Sequence, residues 1–131
     1  MRILIDTNVL FSALLFPSSK PAQLLLYVAD NHQIVLCEQN ITELHNILKR
    51  KAPQYLPDSQ VLLDRLSYEM IPSITTTQKL IRDPKDQPIL NAAVIYGVDI
   101  IVTGDKDFLN LDLKRPKCMS VAEFLANEDL L

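Results

Sequence analysis

An α/β fold with a parallel sheet is what this chain predicts, on three observations. Short apolar runs with β-branched content alternate with longer stretches of helical periodicity along the 131 residues. The helical stretches fall between the strands, as crossover connections do, which indicates parallel strands flanked by helices on both faces. Two runs, Ile3-Leu4-Ile5 and Asp99–Thr103, lead into aspartates at Asp6 and Asp105, where a parallel sheet gathers its ligands. The expected architecture is a three-layer α/β/α sandwich with four or five parallel strands, in a single domain spanning residues 1–131.

The elements follow in order. Strands are expected at Arg2–Asp6, Gln33–Cys37, Met70–Ile74, Asp99–Thr103 and Lys117–Met119. Helices are expected at Thr7–Leu15, Pro21–Asn31, Asn40–Lys51, Ser59–Ser67, Asp86–Tyr96 and Val121–Asn127. The third begins on Asn40 as its capping residue, carries Ile41, Leu44, Ile47 and Leu48 along one face, and closes on Lys49-Arg50-Lys51. The fifth is apolar nearly all round, with Ile89, Leu90, Ala92, Ala93, Val94 and Ile95, so it should be buried. Gly97 suits a left-handed cap at its end. Pro53 and Pro57 mark Ala52–Asp58 as a connection between helices. With two glycines in the whole chain, turns must rely on Pro, Asn, Asp and Ser.

Composition narrows the class of protein. Hydrophobic residues make up 48% and mean hydropathy is +0.11, so apolar surface reserved for a partner is one expectation and a helix buried on all sides is the other. Arg2 leads into an apolar run that Asp6 stops, which is no signal-peptide pattern. No apolar stretch approaches the roughly 20 residues of a membrane helix, so a cytoplasmic protein without a membrane partner is expected. Cys37 and Cys118 lack metal-ligand spacing and read as buried free thiols. His32 and His45 read as surface residues, and no Ser or Cys nucleophile has a His partner.

The net charge of −3 and pI near 5.3 argue against a generic basic coat for nucleic acid. Setting aside Asp6, Glu43, Asp86, Asp105 and Asp107 turns that charge into +2. The remaining cations form small groups at Lys49-Arg50-Lys51, Lys79/Arg82/Lys85 and Lys114-Arg115/Lys117; each is a candidate RNA contact, and each reads more simply as a solvated face.

The winding brings the acids together. Asp6 and Asp105 follow strands, Glu43 is expected in the first turn of the helix after the second strand, and Asp86 opens a helix that starts at the same edge. Four elements thus deliver a carboxylate to one rim, with Asp107 beside it. Carboxylates alone suit hard divalent cations, Mg²⁺ or Mn²⁺, which serve phosphodiester hydrolysis with one metal or two. Each acid also has a plainer account. Asp6 and Asp86 are good N-cap residues, Asp105 and Asp107 would make a polar turn, Glu43 would favour a helix dipole, and Asp83 before Pro84 reads as a turn residue.

Four stretches together resemble the PIN domain family over nearly the whole chain. They are Ile5-Asp6-Thr7-Asn8, Ile41-Thr42-Glu43-Leu44, Asp83-Pro84-Lys85-Asp86 before Ile89-Leu90-Asn91-Ala92-Ala93, and Thr103-Gly104-Asp105-Lys106-Asp107-Phe108. The variety resembled is the single-domain VapC-type toxin. The resemblance implies a metal-dependent endoribonuclease acting on single-stranded RNA and restrained by an antitoxin protein. It implies Asp6, Glu43, Asp86 and Asp105 as catalytic ligands and Asp107 at the edge of the metal site. Thr7, Asn8 and Thr103 would orient those acids through hydrogen bonds. Glu43 is placed by helix context more than by a sharp motif.

Two other classes compete. A phosphotransfer protein would also use acids at the strand ends, but Asp6-Thr7-Asn8 lacks the Asp-x-Asp of haloacid-dehalogenase phosphatases and the paired acids of a receiver domain. A non-catalytic PIN-like module binding RNA or protein is the third reading, and metal titration separates it from an enzyme. Phe11, Leu14, Leu15, Phe16, Leu24, Leu25, Leu26 and Tyr27 exceed what one sheet face readily covers. Part of that region is expected to form a homodimer contact or an antitoxin groove.

Overall fold

The computed structural model describes residues 1–74 and 86–130, so Asp83 and the Lys79/Arg82/Lys85 group lie outside the described residues. Strands β1 (Arg2–Ile5), β2 (Gln33–Cys37), β3 (Tyr68–Ile71), β4 (Ile100–Val102) and β5 (Lys117–Met119) form one sheet in the order β3-β2-β1-β4-β5, every pair parallel. Around it lie α1 (Thr7–Leu15), α2 (Lys20–Asn31), α3 (Glu38–Lys51), α4 (Leu56–Arg65), α5 (Gln87–Ile95), α6 (Lys106–Leu109) and α7 (Val121–Asn127). The order reverses at β1, which lies between β2 and β4. The loops after β1 and β4 therefore diverge around a crevice at the carboxyl edge.

Successive strand side chains point to opposite faces, and both faces are covered. Ile3, Ile5, Ile34, Leu36 and Val102 pack beneath α1, α2, α3 and α7, while Leu4, Val35, Ile71 and Ile101 pack beneath α5 and α6. That double burial explains why β1, β2 and β4 read as unbroken apolar runs.

Several expectations need correction. The third strand runs over Tyr68–Ile71 rather than Met70–Ile74: Pro72 has no N–H for a ladder, and Leu36 and Cys37 face Met70 and Ile71 at its end. Helix α4 starts at Leu56, because Pro57 occupies a first-turn position, where a missing N–H costs nothing. Helix α3 starts at Glu38 with Cys37 at the N-cap position, so Asn40 is its third residue and caps from there by accepting from the Cys37 N–H, and Glu43 falls in the second turn, not the first. Helix α5 is buried only as far as Ala93. Val94 and Ile95 are exposed, and Gly97 follows with φ of 67°, the left-handed ending expected of it. The stretch after Gly104 contains a short helix, α6, which seats Phe108 fully in the core.

His45 is exposed, but His32 is half-buried. Its ring packs near Tyr27 and Phe124, and its Nε2 lies 2.8 Å from Glu128 Oε1. Both cysteines are free. Cys37 is buried, while Cys118 is half-buried with its thiol pushed up to about 11 by desolvation. Among the described residues no single helix is long and apolar enough to cross a membrane. The apolar pair α1 and α2 is bent by 108° between its members.

Candidate functional site

Asp6 is the best-determined part of the crevice. The residue is 7% exposed, and three elements supply donors to its carboxylate. Oδ1 accepts from the Thr7 backbone N–H at 2.9 Å and from Asn40 Nδ2 at 3.3 Å, and Oδ2 accepts from the Thr103 hydroxyl at 2.8 Å. The first of these makes Asp6 the N-cap of α1, as the plainer account held. A cap needs only that one bond and no burial; the grip from α3 and from the end of β4 goes beyond capping. Burial pushes the Asp6 carboxyl above its ordinary range. The hydrogen bonds from Thr103 and Thr7 work the other way, and the nearby Glu43 and Asp105 charges add to the rise.

The other acids surround it. Glu43 Oε2 accepts from the Thr7 hydroxyl at 3.0 Å, and Oε1 accepts from Gln39 Nε2 at 2.8 Å, one helical turn earlier. Asp105 caps α6: its Oδ1 accepts from the Asp107 backbone N–H at 2.8 Å, and its own N–H donates to Thr103 Oγ1 at 3.0 Å. Thr103, fully buried, therefore ties the two strand-end aspartates together. Asp86 holds the N-cap position of α5, yet its side chain makes no capping hydrogen bond.

Asp6, Glu43, Asp86 and Asp105 all line one cleft of about 440 Å³, together with Thr7, Asn8, Asn46, Ile47 and Arg50. Asp107 is not part of that lining; its backbone N–H donates to Asp105 Oδ1. Among the described residues no three acids, histidines or cysteines converge tightly enough to make a closed metal cage. The donor set is nonetheless all oxygen and strongly anionic. It fits a cation that takes only one or two carboxylates and keeps its waters, as Mg²⁺ does.

Sequence reasoning missed Asn40. This side chain is fully buried, with Oδ1 accepting from the Cys37 N–H at 3.3 Å and Nδ2 donating to Asp6 and, at 3.1 Å, to Thr7 Oγ1. An Asn at the start of a helix signals a cap, and only the approach of β1 to α3 turns it into a brace for Asp6. Asn46 was missed for the same reason, and Arg50 stands out in the sequence only as one of three adjacent cations: both fall on the Glu43 face at helical spacing, but nothing local says which face meets the cleft.

A parallel sheet whose switch point opens into a carboxylate-lined cleft defines the class of α/β protein. Residues 2–107 match the family model of the PIN domain, and the chain belongs to the PIN domain family. Over 117 residues it is 29% identical to the uncharacterized protein MJ1680 of Methanocaldococcus jannaschii, covering 85% of this chain and 75% of that protein. Its fold matches a chain in the crystal structure of VapBC2 from Rickettsia felis bound to a DNA fragment from their promoter. The TM-score is 0.68 and the identity 16%, with 92% of this chain and 98% of that chain covered.

Proposed function

We propose that the protein is a Mg²⁺- or Mn²⁺-dependent endoribonuclease acting on single-stranded RNA. In this reading it is the toxin of a VapC-type toxin–antitoxin pair, working in the cytoplasm as one domain over residues 1–131. The observation that carries the reading is the convergence of Asp6, Glu43, Asp86 and Asp105 on one cleft at the switch point of the sheet. Such an ion supplies Lewis acidity, polarising the phosphodiester and making water a stronger nucleophile. Asp6 and Asp105, stitched together by Thr103, present oxygens from the two diverging loops. Glu43 and Asp86 approach from α3 and the start of α5, with Glu43 held in orientation by Thr7 and Gln39. Asp107 serves at the margin, and Asn8 lines the mouth. The direct test is cleavage of single-stranded RNA that appears with Mn²⁺ or Mg²⁺ and vanishes with EDTA.

Thr103→Val keeps shape and burial while deleting the hydroxyl between Asp6 and Asp105. Metal affinity is expected to fall about 10–100-fold, as when a residue that orients a ligand is lost. Calorimetric titration of Mn²⁺ reads it, and unchanged affinity counts against Thr103 as an orienting group.

The second reading, a PIN-like module that binds without cutting, is favoured by the absence of a closed three-ligand cage among the described residues. A protein that binds RNA but takes up no Mn²⁺ in the same titration decides for it.

The antitoxin and homodimer surfaces belong with α1 and α2. Phe16 and Leu26 are 60% and 66% exposed, and Leu26 lines a mostly apolar hollow of about 200 Å³ reaching from Leu14 to Leu62. Leu24 and Leu25 belong to the core, so part of the apolar surplus is structural. A charge at Leu25 would forfeit about 1.5–3 kcal/mol of burial before any cost of the charge itself. Phe16→Glu and Leu26→Glu avoid that problem. Each is expected to abolish dimerisation or antitoxin binding in light scattering while circular dichroism stays native. A wild-type protein that is monomeric and binds no antitoxin removes this surface from the proposal.

A further inference from the structure

Helix α3 does more in the cleft than present Glu43. Asn46, Ile47 and Arg50 follow it by three, four and seven residues, and all four line the same cavity. That spacing is one continuous stripe of a helix. Lys49 and Lys51 belong to the same basic cluster but turn to other faces and are absent from the lining. Among the described residues that line the cleft, Arg50 is the sole cation beside four carboxylates. None of the ion pairs formed among the described residues engages it.

We propose that Arg50, with Asn46 and Ile47 between it and Glu43, forms a subsite for the RNA sugar–phosphate next to the phosphodiester that reacts. This rests on the nuclease reading and adds to it a residue that holds substrate without taking part in bond breaking. Arg50 lies about 10 Å along the helix axis from Glu43, too far for its backbone position to serve the same phosphate. Helical side chains lean toward the helix N-terminus, so the guanidinium extends back over the Asn46–Ile47 turn. A polyanion entering a cleft of four carboxylates is repelled unless cations meet it. Bound metal answers that at the Glu43 end, and Arg50 answers it at the other. A guanidinium suits the task because its planar fork engages two phosphate oxygens at once. Asn46 offers an amide to the sugar–phosphate, and half-buried Ile47 an apolar face.

A plainer role for Arg50 is to complement the α3 dipole in its last turn, as Lys49 and Lys51 do. Initial-rate kinetics on a short fluorescein-labelled single-stranded RNA, at saturating Mn²⁺ and several salt concentrations, separate the two roles. Arg50→Gln is expected to raise KM about tenfold with kcat within about twofold, and to lower the salt slope of binding by about one. Arg50→Lys should fall between, having charge without the fork. Lys49→Gln and Lys51→Gln should leave KM within about twofold of wild type, since neither lines the cleft. A wild-type enzyme that cleaves while Arg50→Gln leaves KM unchanged, or while all three glutamine variants raise KM equally, overturns the subsite and leaves the nuclease reading intact. A wild-type protein that cleaves no RNA with Mn²⁺ overturns both.

Discussion

Asp105→Asn and Asp6→Asn are each expected to lower Mn²⁺-dependent cleavage of single-stranded RNA by about 10²–10³-fold, the usual loss when a preorganised charge-stabilising group is removed. Both substitutions keep the side chain's shape, so the fold should survive. At Asp105 the amide oxygen still accepts from the Asp107 N–H, preserving the cap of α6. At Asp6 the amide oxygen retains its bonds from the Thr7 N–H and Asn40. The new NH₂ faces Thr103 Oγ1, whose second lone pair is open to it once the hydroxyl proton turns away. Any loss of cleavage therefore reports on the charge, and thermal melts of both variants supply the folding control. Wild-type rates in both would show that the cleft performs no such chemistry.

Metal is expected to raise the melting temperature on the order of 5–10 °C at concentrations well above its dissociation constant, because it binds only the folded cleft. The reason lies in Asp6. Burial, with a lesser push from Glu43 and Asp105, lifts its carboxyl above the unfolded value of 3.8. A carboxyl raised on folding stabilises the protein only while it is protonated. That contribution is complete below the unfolded value and is lost as pH climbs through the raised folded one. At neutral pH the metal-free protein thus carries a buried charge at a cost that a cation offsets. Melts in EDTA across a pH series should show wild-type stability falling over that window. Asp6→Asn should be flatter and more stable at neutral pH, and it should gain less from added Mn²⁺. A melting temperature indifferent to millimolar Mn²⁺ and Mg²⁺ would remove the metal site from consideration.

Local pattern carried much of this protein. The β-branched runs at Ile3–Ile5, Ile34–Leu36 and Ile100–Val102 are strands because burial on both faces demands unbroken apolar sequence, and that demand is visible residue by residue. Asp6 and Asp105 stood out because charge directly after such runs is otherwise hard to account for. Gly97 announced the end of α5 through backbone freedom alone. Boundaries are less legible where two local rules compete: Pro57 fits a break between helices as well as the first turn of α4, and Asn40 fits a cap at the N-cap position as well as one from the third residue of α3.

By itself, then, the sequence determined the α/β class, the parallel crossovers and the rim on which the acids fall, since each follows from periodicity or from a residue's own backbone preferences. Tertiary structure decided the rest. The Thr103–Asp6 bond spans 97 residues and the Asn40–Asp6 bond 34, and both exist only because β1 lies between β2 and β4. Strand order is a property of how layers pack, and no spacing along the chain encodes it. The same packing buried Leu25 and exposed Leu26, drew His32 against Phe124, and turned Arg50 but not its two lysine neighbours toward the cleft. A helix has several faces of similar composition, and only the neighbour it packs against selects one.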